Sequence, residues 1–600
     1  MSTRRIRRRA VPPTALAGLS AGLHPVLRRV YAARGIHSDQ ELELGLAHLL
    51  PVTTLGGLPE AVELLIECHR RRSRVVVVGD FDADGATSTA LVVRQLRRLG
   101  FEDPGYVVPD RFRFGYGLTP QIVREAAKLK PDLLVTVDNG ISSLDGVREA
   151  AGLGIDVLVT DHHLPGSALP DAAAIVNPNL REETFASKAL AGVGVAFYVM
   201  AALTRMMIER GLVADPAEVN PAELLDLVAL GTVADVVPLD RNNRILVSQG
   251  MRRIRAGRCV PGLRALLESA GCRLDAAAEQ DLAFQAGPRL NAAGRLEDMR
   301  LGIECLLTGD EGQARRHAGE LARLNAERRE LEAQMQREAL GQVERLVDAL
   351  AGELPAGLAI YDAGWHQGVV GLVASKVKER VHRPVIAFAP GESGWIKGSA
   401  RSVPGVHVRD VLDTVATTHP GLLERFGGHA MAAGMTLRED RFEEFRAAFA
   451  AAVESRIDPD ELRGEIHTDG PLAGGELSLA TAQALRAGGP WGMGFPEPFF
   501  DGRFGVVDCR IVGGRHLKLN LQSAEGERVG GIAFRHLDDE RSASVRAGTE
   551  IDLVYRMALD DYGGTQRLQL VSEWLAPTAE RGYGLARAVR PGVGSGQAGQ

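Results

Sequence analysis

The stretch RVVVVGDFDADGATST, residues 74–89, decides how the first half of this chain folds. Its four consecutive valines, Val75 to Val78, are typical of a strand buried on both faces of a parallel sheet. A helical pattern begins near Thr87. Three carboxylates lie between strand and helix: Asp80, Asp82 and Asp84. In open α/β sheets, ligands bind at this carboxyl end of a central strand.

Three carboxylates this close together cannot all stay ionised without a cost. Two unit charges about 4 Å apart repel by about 4 kcal/mol at an effective dielectric constant near 20. We therefore expect a cation among them. Carboxylate oxygens favour magnesium or manganese over zinc.

Two further predicted strands end in the same way. Leu133 to Val137 leads into Asp138, and Ile155 to Thr160 leads to His162 and His163. Helical stretches separate these strands, which predicts a βαβαβ arrangement with a parallel sheet. A single acid after a strand is often only the N-cap of the next helix. Three such motifs in register favour one shared site.

A fourth acid, Asp235, follows an apolar helix that we predict over Leu224 to Thr232, with its end near Gly231. A carboxylate without a partner is costly in apolar surroundings, so a metal ion is the expected partner. Two metals bridged by a carboxylate form a clamp for in-line attack on phosphorus. The candidate ligands are Asp82, Asp84, Asp138, His162 and Asp235.

Composition limits the class of protein. The 600 residues, 45% hydrophobic and 24% charged, indicate three or four globular domains. A net charge of -7 argues against bulk coating of nucleic acid but permits a local basic channel. The five scattered cysteines suggest neither disulfides nor a zinc cluster, so we expect a cytoplasmic protein. No apolar run is long enough to predict a membrane span. The arginines between Arg4 and Arg9 predict a flexible basic tail, with contact to DNA phosphates as the alternative.

Basic and aromatic residues supply candidate DNA contacts. One run alternates charge and ring: Arg111, Phe112, Arg113, Phe114 and Tyr116. Such a run suits a single strand entering a site, although the rings could instead pack a loop onto the core. Arg295 could bind phosphate through its planar guanidinium. The alternative for Arg295 is a surface salt bridge with Glu297 or Asp298.

The second half of the chain predicts three more units. Residues from Asp310 to about Leu350 predict a long helix connecting two domains, without the clean heptads of a coiled coil. A unit with glycine-rich turns follows, and five short β-prone runs after residue 460 suggest a small barrel. On that barrel, His516, Lys518 and Arg535 are candidate DNA contacts, with ordinary surface residues as the alternative.

The segments GDFDADGATS, VDNGIS, TDHH and LVALGTVADVVPL resemble, in this order, the four motifs of the DHH phosphoesterase superfamily. GPRLNAAGRL, WHQGVVGLVASKV, KGSARS and FGGHAMAAG narrow the resemblance to its bacterial exonucleases specific for single-stranded DNA, over residues from about 50 to 575.

This resemblance implies a multidomain α/β protein with a parallel-sheet DHH domain and a C-terminal OB-type β-barrel. The implied division is an N-terminal tail and leading segment (1–50), the DHH phosphoesterase domain (51–265), a linking helical region (266–350), an α/β DHH-associated substrate-binding domain (351–457), an OB-fold nucleic-acid-binding domain (458–577) and a disordered tail (578–600).

The resemblance also implies a function: a 5'-to-3' exonuclease that degrades single-stranded DNA to mononucleotides with two divalent ions, Mn2+ or Mg2+. By this resemblance, Asp82, Asp84 and Asp138 would hold and bridge the metals, and His162 and Asp235 would complete the second site. His163 would face the scissile phosphate, while Asp80 would either support a ligand or bind metal itself. The implied grip on the 5'-terminal phosphate or nucleotide comprises Ser399, Arg401, Gly428 and His429.

We expect a monomer whose main partner is single-stranded DNA, with a single-strand-binding protein and a helicase left open as protein partners. Two alternatives remain. A DHH phosphodiesterase for short oligonucleotides or cyclic dinucleotides would resemble only the first two domains. A non-catalytic DNA-binding scaffold would have lost its acidic motifs.

Overall fold

The computed structural model describes residues 5–109, 116–349, 354–457, 464–534, 545–560 and 566–578. The leading segment contains strand β1 (Arg5–Arg8) and helices α1 (Pro13–Gly18) and α2 (Pro25–Ala32). The elements of the first domain are α3 (Leu58–Arg71), β2 (Val75–Val78), α4 (Ala83–Arg98), β3 (Gly105–Val107), α5 (Pro120–Ala127), β4 (Leu133–Val137), α6 (Leu144–Gly152), β5 (Asp156–Thr160), β6 (Ala174–Val176), α7 (Gly192–Glu209), α8 (Leu225–Ala234) and α9 (Arg241–Arg255).

A five-stranded parallel sheet of order β3-β2-β4-β5-β6 forms the centre of this domain. Val78 of β2 pairs with Thr136 of β4, and Val137 of β4 pairs with Thr160 of β5. The carboxyl ends of these three strands therefore lie side by side. This register confirms the predicted parallel α/β fold and places the three acidic motifs at one edge.

Two helix boundaries differ from the sequence prediction. Helix α4 begins at Ala83 instead of near Thr87, because the Asp82 side chain caps it by accepting a hydrogen bond from the Gly85 amide at 3.0 Å. Helix α8 does not end near Gly231 but continues to Ala234. A β-carbon on Gly231 would lie 2.3 Å from Oγ1 of Thr87, so this glycine permits close packing of α8 on α4 instead of ending the helix.

One helix, α14, connects the first two domains as the sequence predicted. It follows α10 (Pro261–Ser269), α11 (Glu279–Asp281), a π-helix (Leu282–Ala286), α12 (Gly287–Leu296) and α13 (Arg300–Leu307), and it runs from Glu311 to Ala349. Its 39 residues span about 58 Å at 1.5 Å per residue. Leu321 and Leu324 join the core of the first domain, whereas Met335 and Ala339 join that of the second.

The second domain has a mixed sheet of order β10-β11-β9-β8-β7. Its elements are β7 (Leu358–Tyr361), α15 (Val370–Val381), β8 (Val385–Pro390), β9 (Trp395–Arg401), α16 (Val408–Thr418), β10 (Arg425–Gly428), β11 (Ala432–Arg438) and α17 (Phe442–Glu454). The sheet is parallel only between β7 and β8.

The third domain contains the predicted barrel, closed in the order β13-β14-β15-β17-β16. Its elements are β12 (Glu465–Thr468), α18 (Leu479–Ala487), β13 (Phe500–Val512), β14 (His516–Ser523), β15 (Arg528–Ala533), β16 (Glu550–Asp560) and β17 (Arg567–Pro577). The five barrel strands coincide with the five β-prone runs of the sequence. The predicted disordered tail comprises residues 578–600, of which 579–600 lie outside the described residues.

The prediction of a flexible basic tail is wrong for residues 5–9. Strand β1 pairs in parallel with β12 of the third domain. Nη2 of Arg8 lies 2.6 Å from a carboxylate oxygen of Asp501, and Arg9 and Arg34 both contact Asp469. The arginines are ordered because acids of the third domain, far along the chain, pair with them.

Helix α7 is long and apolar enough to cross a membrane, and 72% of the tested stretch is buried inside the fold. A pair of helices within residues 46–71, bent by 84°, passes the same test only when taken as one span. Helix α7 packs as a core helix, with Val193, Met200 and Leu203 all fully buried.

We predict that Arg34→Ala strongly destabilises the protein. The side chains of Arg34 and Asp469 are 2% and 3% exposed, and the mutation removes the 2.7 Å ion pair between them. The buried carboxylate then keeps a 3.4 Å contact to Arg9 and a hydrogen bond from the Phe499 amide at 3.1 Å. Breaking such a pair costs about 3–5 kcal/mol. Differential scanning calorimetry should show a lower unfolding temperature.

The matched control is Arg7→Ala, which removes an exposed ion pair with Glu465. Exposed pairs contribute about 0–1 kcal/mol, so its unfolding temperature should stay near that of the wild type. Equal shifts for both variants would contradict a buried anchor at Arg34.

Candidate metal centre

Acidic and histidine side chains from five parts of the first domain meet at the carboxyl edge of its sheet. Three groups bring ligand atoms within 4.8 Å of one another: Asp80 with Asp82 and Asp138; Asp84 with His162 and Asp235; and Asp138 with His162 and His163. The structure therefore brings together all five predicted ligands, and it adds Asp80 and His163 to the same cluster.

Asp138 lies at the centre of this cluster. It is buried, and its backbone adopts a left-handed φ of 62°, which few residues other than glycine, asparagine and aspartate adopt readily. Its Oδ1 lies 3.1 Å from Nε2 of His162, yet neither atom makes a hydrogen bond. Two buried acceptors that face each other without a donor fit a cation between them.

Helix α7 holds Asp84 in place. The carboxylate accepts hydrogen bonds from the amides of Gly192 at 2.6 Å and Val193 at 2.9 Å, at the positive end of the helix. A β-carbon on Gly192 would lie 2.6 Å from Cβ of Asp138. The segment LAGVGVAF, Leu190 to Phe197, thus brings the N-terminus of α7 against two of the acids.

Asp235 approaches the cluster from the end of α8. Its Oδ2 lies 3.6 Å from Nε2 of His162, and its side chain is 24% exposed. One nitrogen of His162 therefore faces carboxylates from both β4 and α8. This atom is well placed to share a metal with either of them.

The raised pKa values of the clustered acids indicate an excess of negative charge. Burial, and then repulsion by neighbouring carboxylates, raises the pKa of Asp84 to about 7 and that of Asp235 to about 9. The same causes raise the pKa of Asp138 well above its usual range. Burial, and then the charge of His163, lowers the pKa of His162 to about 4, so its imidazole is neutral and can coordinate metal.

Asp161, which sequence reasoning gave no role, organises both histidines. It accepts hydrogen bonds from the amides of Ile141 at 2.9 Å and His162 at 2.7 Å, and its Oδ1 lies 2.7 Å from Nδ1 of His163. Burial opposes both charges, but this pairing still raises the pKa of His163 and lowers that of Asp161. The Asp161 carboxylate therefore favours the protonated form of His163. The TDHH motif was the available signal.

Three asparagines that the sequence reasoning missed fix the surrounding loops. Asn177 donates to the carbonyl of His163 at 2.9 Å, and Asn179 donates to that of His162 at 2.6 Å. Asn291 accepts from the amide of Ala83 at 2.8 Å. The repeated asparagines of VNPN and the NAAGR motif were the signals that pointed to them.

Tyr116 lies over the histidines. Its hydroxyl donates to the carbonyl of Asp138 at 3.2 Å and lies 3.1 Å from Nδ1 of His163. The side chain is 48% exposed, but its hydroxyl end points into the cluster. Burial of that end and then nearby carboxylates raise the pKa of the phenol. The other candidates of this loop, Arg111 and Arg113 with Phe112 and Phe114, lie outside the described residues.

Arg295 contacts the second domain. Its Nη1 donates to the carbonyl of Gly368 at 3.1 Å. The acids proposed as its alternative partners contact other arginines, Glu297 with Arg323 and Asp298 with Arg300. The guanidinium therefore lies where the two domains meet.

The predicted substrate residues of the second domain lie on β9 and on the β10–β11 hairpin. Arg401 donates to Oγ of Ser399 at 3.0 Å, beside the first turn of α15. Gly428 has a φ of 143°, which side chains rarely adopt. Burial and then the charge of His163 lower the pKa of His429. His429 thus lies within electrostatic reach of His163.

Two of the three predicted DNA contacts of the barrel, His516 and Lys518, lie on strand β14. The His516 ring packs edge to face on Phe534, which is 55% exposed, and Lys518 lies partly buried on β14. Arg535 lies outside the described residues.

Three family matches cover most of the chain: the DHH family, N-terminal domain, over residues 74–232, the DHHA1 domain over 346–455 and the RecJ OB domain over 468–573. A Dickeya dadantii protein named single-stranded-DNA-specific exonuclease RecJ is 54% identical over 577 residues, 95% of this chain and 99% of that protein. The chain belongs to the RecJ family. The predicted family resemblance is thereby confirmed.

Solved structures of this family also match the fold of the chain. RecJ from Thermus thermophilus in complex with Mn2+ matches with a TM-score of 0.77 and 33% identity, over 95% of this chain and 79% of that one. The same protein in complex with Mg2+ matches with a TM-score of 0.71 and 31% identity, over 95% and 78%. The expected cofactors, Mn2+ or Mg2+, are those of these relatives, and the acid and histidine donors fit such ions.

We predict that the metal-free protein loses stability as the pH rises. Above about pH 6.5 His162 is neutral in both states, whereas Asp84 and Asp235 still carry protons only in the folded state. The folded state thus binds more protons than the unfolded chain, and its free energy of unfolding falls until the pH passes the folded pKa of Asp235, about 9.

Unfolding temperatures measured in chelator should therefore fall from about pH 6.5 to about pH 9, and saturating Mn2+ should flatten the dependence. The variant Asp235→Asn should also reduce the slope. A flat or rising profile for the wild-type protein in chelator would contradict the crowding of carboxylates.

Proposed function

We propose that this protein is a single-stranded-DNA-specific exonuclease that hydrolyses phosphodiester bonds from the 5' end and releases 5'-mononucleotides, in DNA repair and recombination. The observation that carries the proposal is the acid and histidine cluster, in a chain that relatives named as such exonucleases match over 95% of its length. Five such donors alone would fit many phosphoesterases, and the full-length match narrows the substrate to single-stranded DNA.

Two groups of residues would hold the metals. Asp80, Asp82 and Asp138 would form one site, while Asp84, His162 and Asp235 would form the other, with Asp138 reaching both. When bound, the two divalent ions supply the charge that activates water for in-line attack and stabilises the leaving oxygen. The cluster suits such ions because its carboxylates lie close enough together to raise one another's pKa.

The chain's own cations would hold the phosphate. His163, whose protonated form Asp161 favours, faces the cluster and would donate to a nonbridging oxygen. Arg295 lies at the junction of the domains, and its planar guanidinium is suited to bind a phosphate there. Tyr116 covers the histidines and offers an exposed ring face to a base.

End recognition belongs to the second domain in this proposal. Ser399, Arg401, Gly428 and His429 would bind the 5'-terminal phosphate in a narrow cleft that faces the metal cluster, and the hydrogen bond from Arg401 to Ser399 holds two of these side chains together. A strand that ends in this cleft is cut near its 5' end. A duplex is too wide to enter, and the barrel would hold the strand further along through residues such as His516 and Lys518.

We place the enzyme in the cytoplasm, because its substrate would be chromosomal DNA and its five cysteines are unpaired thiols. We also propose that it is a monomer. A helicase and a single-strand-binding protein are the classes of partner that would supply this substrate. No observation favours a small-substrate phosphodiesterase, which would leave the barrel without a role. Nor does any favour a scaffold, since every proposed ligand is present.

The direct test uses the purified chain with Mn2+ and a DNA oligomer labelled at its 3' end, as a single strand and as a blunt duplex. A ladder that shortens from the 5' end of the single strand alone is the expected result. Shortening from the 3' end would refute the polarity. Hydrolysis of dinucleotides alone would move the substrate to small molecules.

We predict that Asp138→Asn abolishes cleavage and preserves the fold. Asparagine adopts the left-handed backbone of this position, so the change removes charge without adding strain. Loss of a ligand shared by both groups should reduce kcat at least about a thousandfold, given what metals contribute to charge stabilisation. Asp145→Asn, at an exposed position, is the control. Near wild-type turnover in Asp138→Asn would refute the two-metal assignment.

We also predict that Asp161→Asn shifts the pH dependence of cleavage. Without this carboxylate the pKa of His163 falls, so the protonated form that would donate to the phosphate is lost at a lower pH. The basic limb of kcat/KM against pH should therefore move to lower pH. Asp171→Asn, exposed in the following loop, should leave the profile unchanged. An unmoved limb in Asp161→Asn would exclude His163 as the donor.

A further inference from the structure

The chain turns sharply just after the metal-ligand candidate Asp235. Helix α8 ends at Ala234, and Val236 adopts a φ of 61° with 63% of its side chain exposed. A β-branched residue is strained in this left-handed region, and such strain persists only where the surroundings impose it. The turn directs the Asp235 carboxylate back to within 3.6 Å of His162. Something must therefore hold the backbone after Asp235.

A tight turn of the third domain, residues 492–495, lies directly against this backbone. Its ends are joined by two hydrogen bonds between the backbones of Gly492 and Phe495. The carbonyl of Met493 accepts a hydrogen bond from the amide of Leu239 at 2.7 Å. This is a direct backbone link between the barrel domain and the loop that carries Asp235.

Both glycines of the turn are in close contact with the loop. A β-carbon on Gly494 would lie 3.2 Å from Cβ of Pro238, and one on Gly492 would lie 2.7 Å from Cδ1 of Leu239. Gly494 also has a φ of 71°. Any side chain at these positions would push against residues 238–239. The turn is thus shaped to fit this loop closely.

The turn itself is rigidly anchored. The rings of Trp491 and Phe495 stack with centroids 5.1 Å apart and an angle of 9° between their planes. The guanidinium of Arg244, from α9, lies 4.4 Å from the centre of the Phe495 ring, and that of Arg34 lies 5.4 Å from the Trp491 ring. The first domain and the leading segment therefore clamp the turn from both sides.

The opposite side of the loop is held by α9. Nδ2 of Asn243 donates to the carbonyl of Pro238 at 2.9 Å and to that of Ala189 at 2.6 Å. The loop is thus fixed between α9 and the turn of the third domain. In contrast, the other three acids all flank elements of the first domain. Asp80 follows β2, Asp82 precedes α4 and Asp138 follows β4.

We infer that the turn at residues 492–495 positions Asp235, so that the barrel domain completes the Asp84, His162 and Asp235 metal group. This inference rests on the proposed two-metal function. The turn binds neither metal nor substrate and acts only through the backbone of residues 236–239. The group formed by Asp80, Asp82 and Asp138 does not depend on it.

The test compares Gly494→Ala and Gly492→Ala with Gly548→Ala. Gly548 also belongs to the barrel domain and has a positive φ of 84°, but a β-carbon there would meet nothing within 4 Å. The control therefore matches Gly494, whose φ is 71°, in its left-handed backbone but has no contact to the loop. All three full-length variants are checked for folding by thermal unfolding in chelator.

Mn2+ binding to the DNA-free proteins is measured by isothermal titration calorimetry and by electron paramagnetic resonance. Wild type and Gly548→Ala should bind two ions. In the two turn variants one ion should bind about 10–100-fold more weakly, as when a residue that supports a ligand is lost, while the other is unchanged. Raised Mn2+ should restore kcat in these variants without a change in KM for DNA.

Unchanged affinity for both ions in folded Gly494→Ala and Gly492→Ala would overturn the inference. A higher KM for DNA with normal metal binding would also overturn it, because the turn would then act on the substrate. Failure of the proposed function looks different, since the wild-type protein itself would then lack a second ion or lack cleavage of single strands.

Discussion

The repulsion among buried carboxylates at one edge of the parallel sheet is the constraint on which the rest of the first domain depends. Asp80, Asp84 and Asp138 are all nearly inaccessible to water, and their charges are expensive unless something positive faces them. The N-terminus of α7 partly offsets this cost at Asp84, and His163, whose pKa is raised, lies beside Asp138. These contacts reduce the repulsion without removing it, and the remaining excess of negative charge is the reason we propose this cluster as the metal centre.

The sequence predicts the sheet and the clustering of the candidate ligands because both follow local rules. A buried strand is a run of valines or leucines, and parallel strands place their carboxyl ends at one edge, so acids such as Asp80 and Asp138 could be brought together before any coordinates were known. The same logic predicted α14 and the five strands of the barrel. Each of these elements shows its periodicity within about ten to forty residues of chain.

What the sequence did not predict depends on partners that are distant in the chain. Asp161 acts by accepting the amide of Ile141, and Asn291 acts by accepting that of Ala83, a contact across 208 residues. Gly231 looked like a helix end, because a local pattern cannot show that α4 passes behind it. The ordered arginines near the N-terminus were missed for the same reason, since Asp501 lies 493 residues away from Arg8.

Helix α14 enters the cores of two domains, and this sets a limit on how the chain can change in length. One residue inserted in its middle would turn the second domain by about 100° around the helix axis and advance it by about 1.5 Å. A whole number of turns would restore the orientation but move Ser399 and His429 away from the metal cluster by at least about 5 Å. The length of α14 therefore fixes the spacing and orientation of the two domains, whereas surface loops tolerate insertions and deletions.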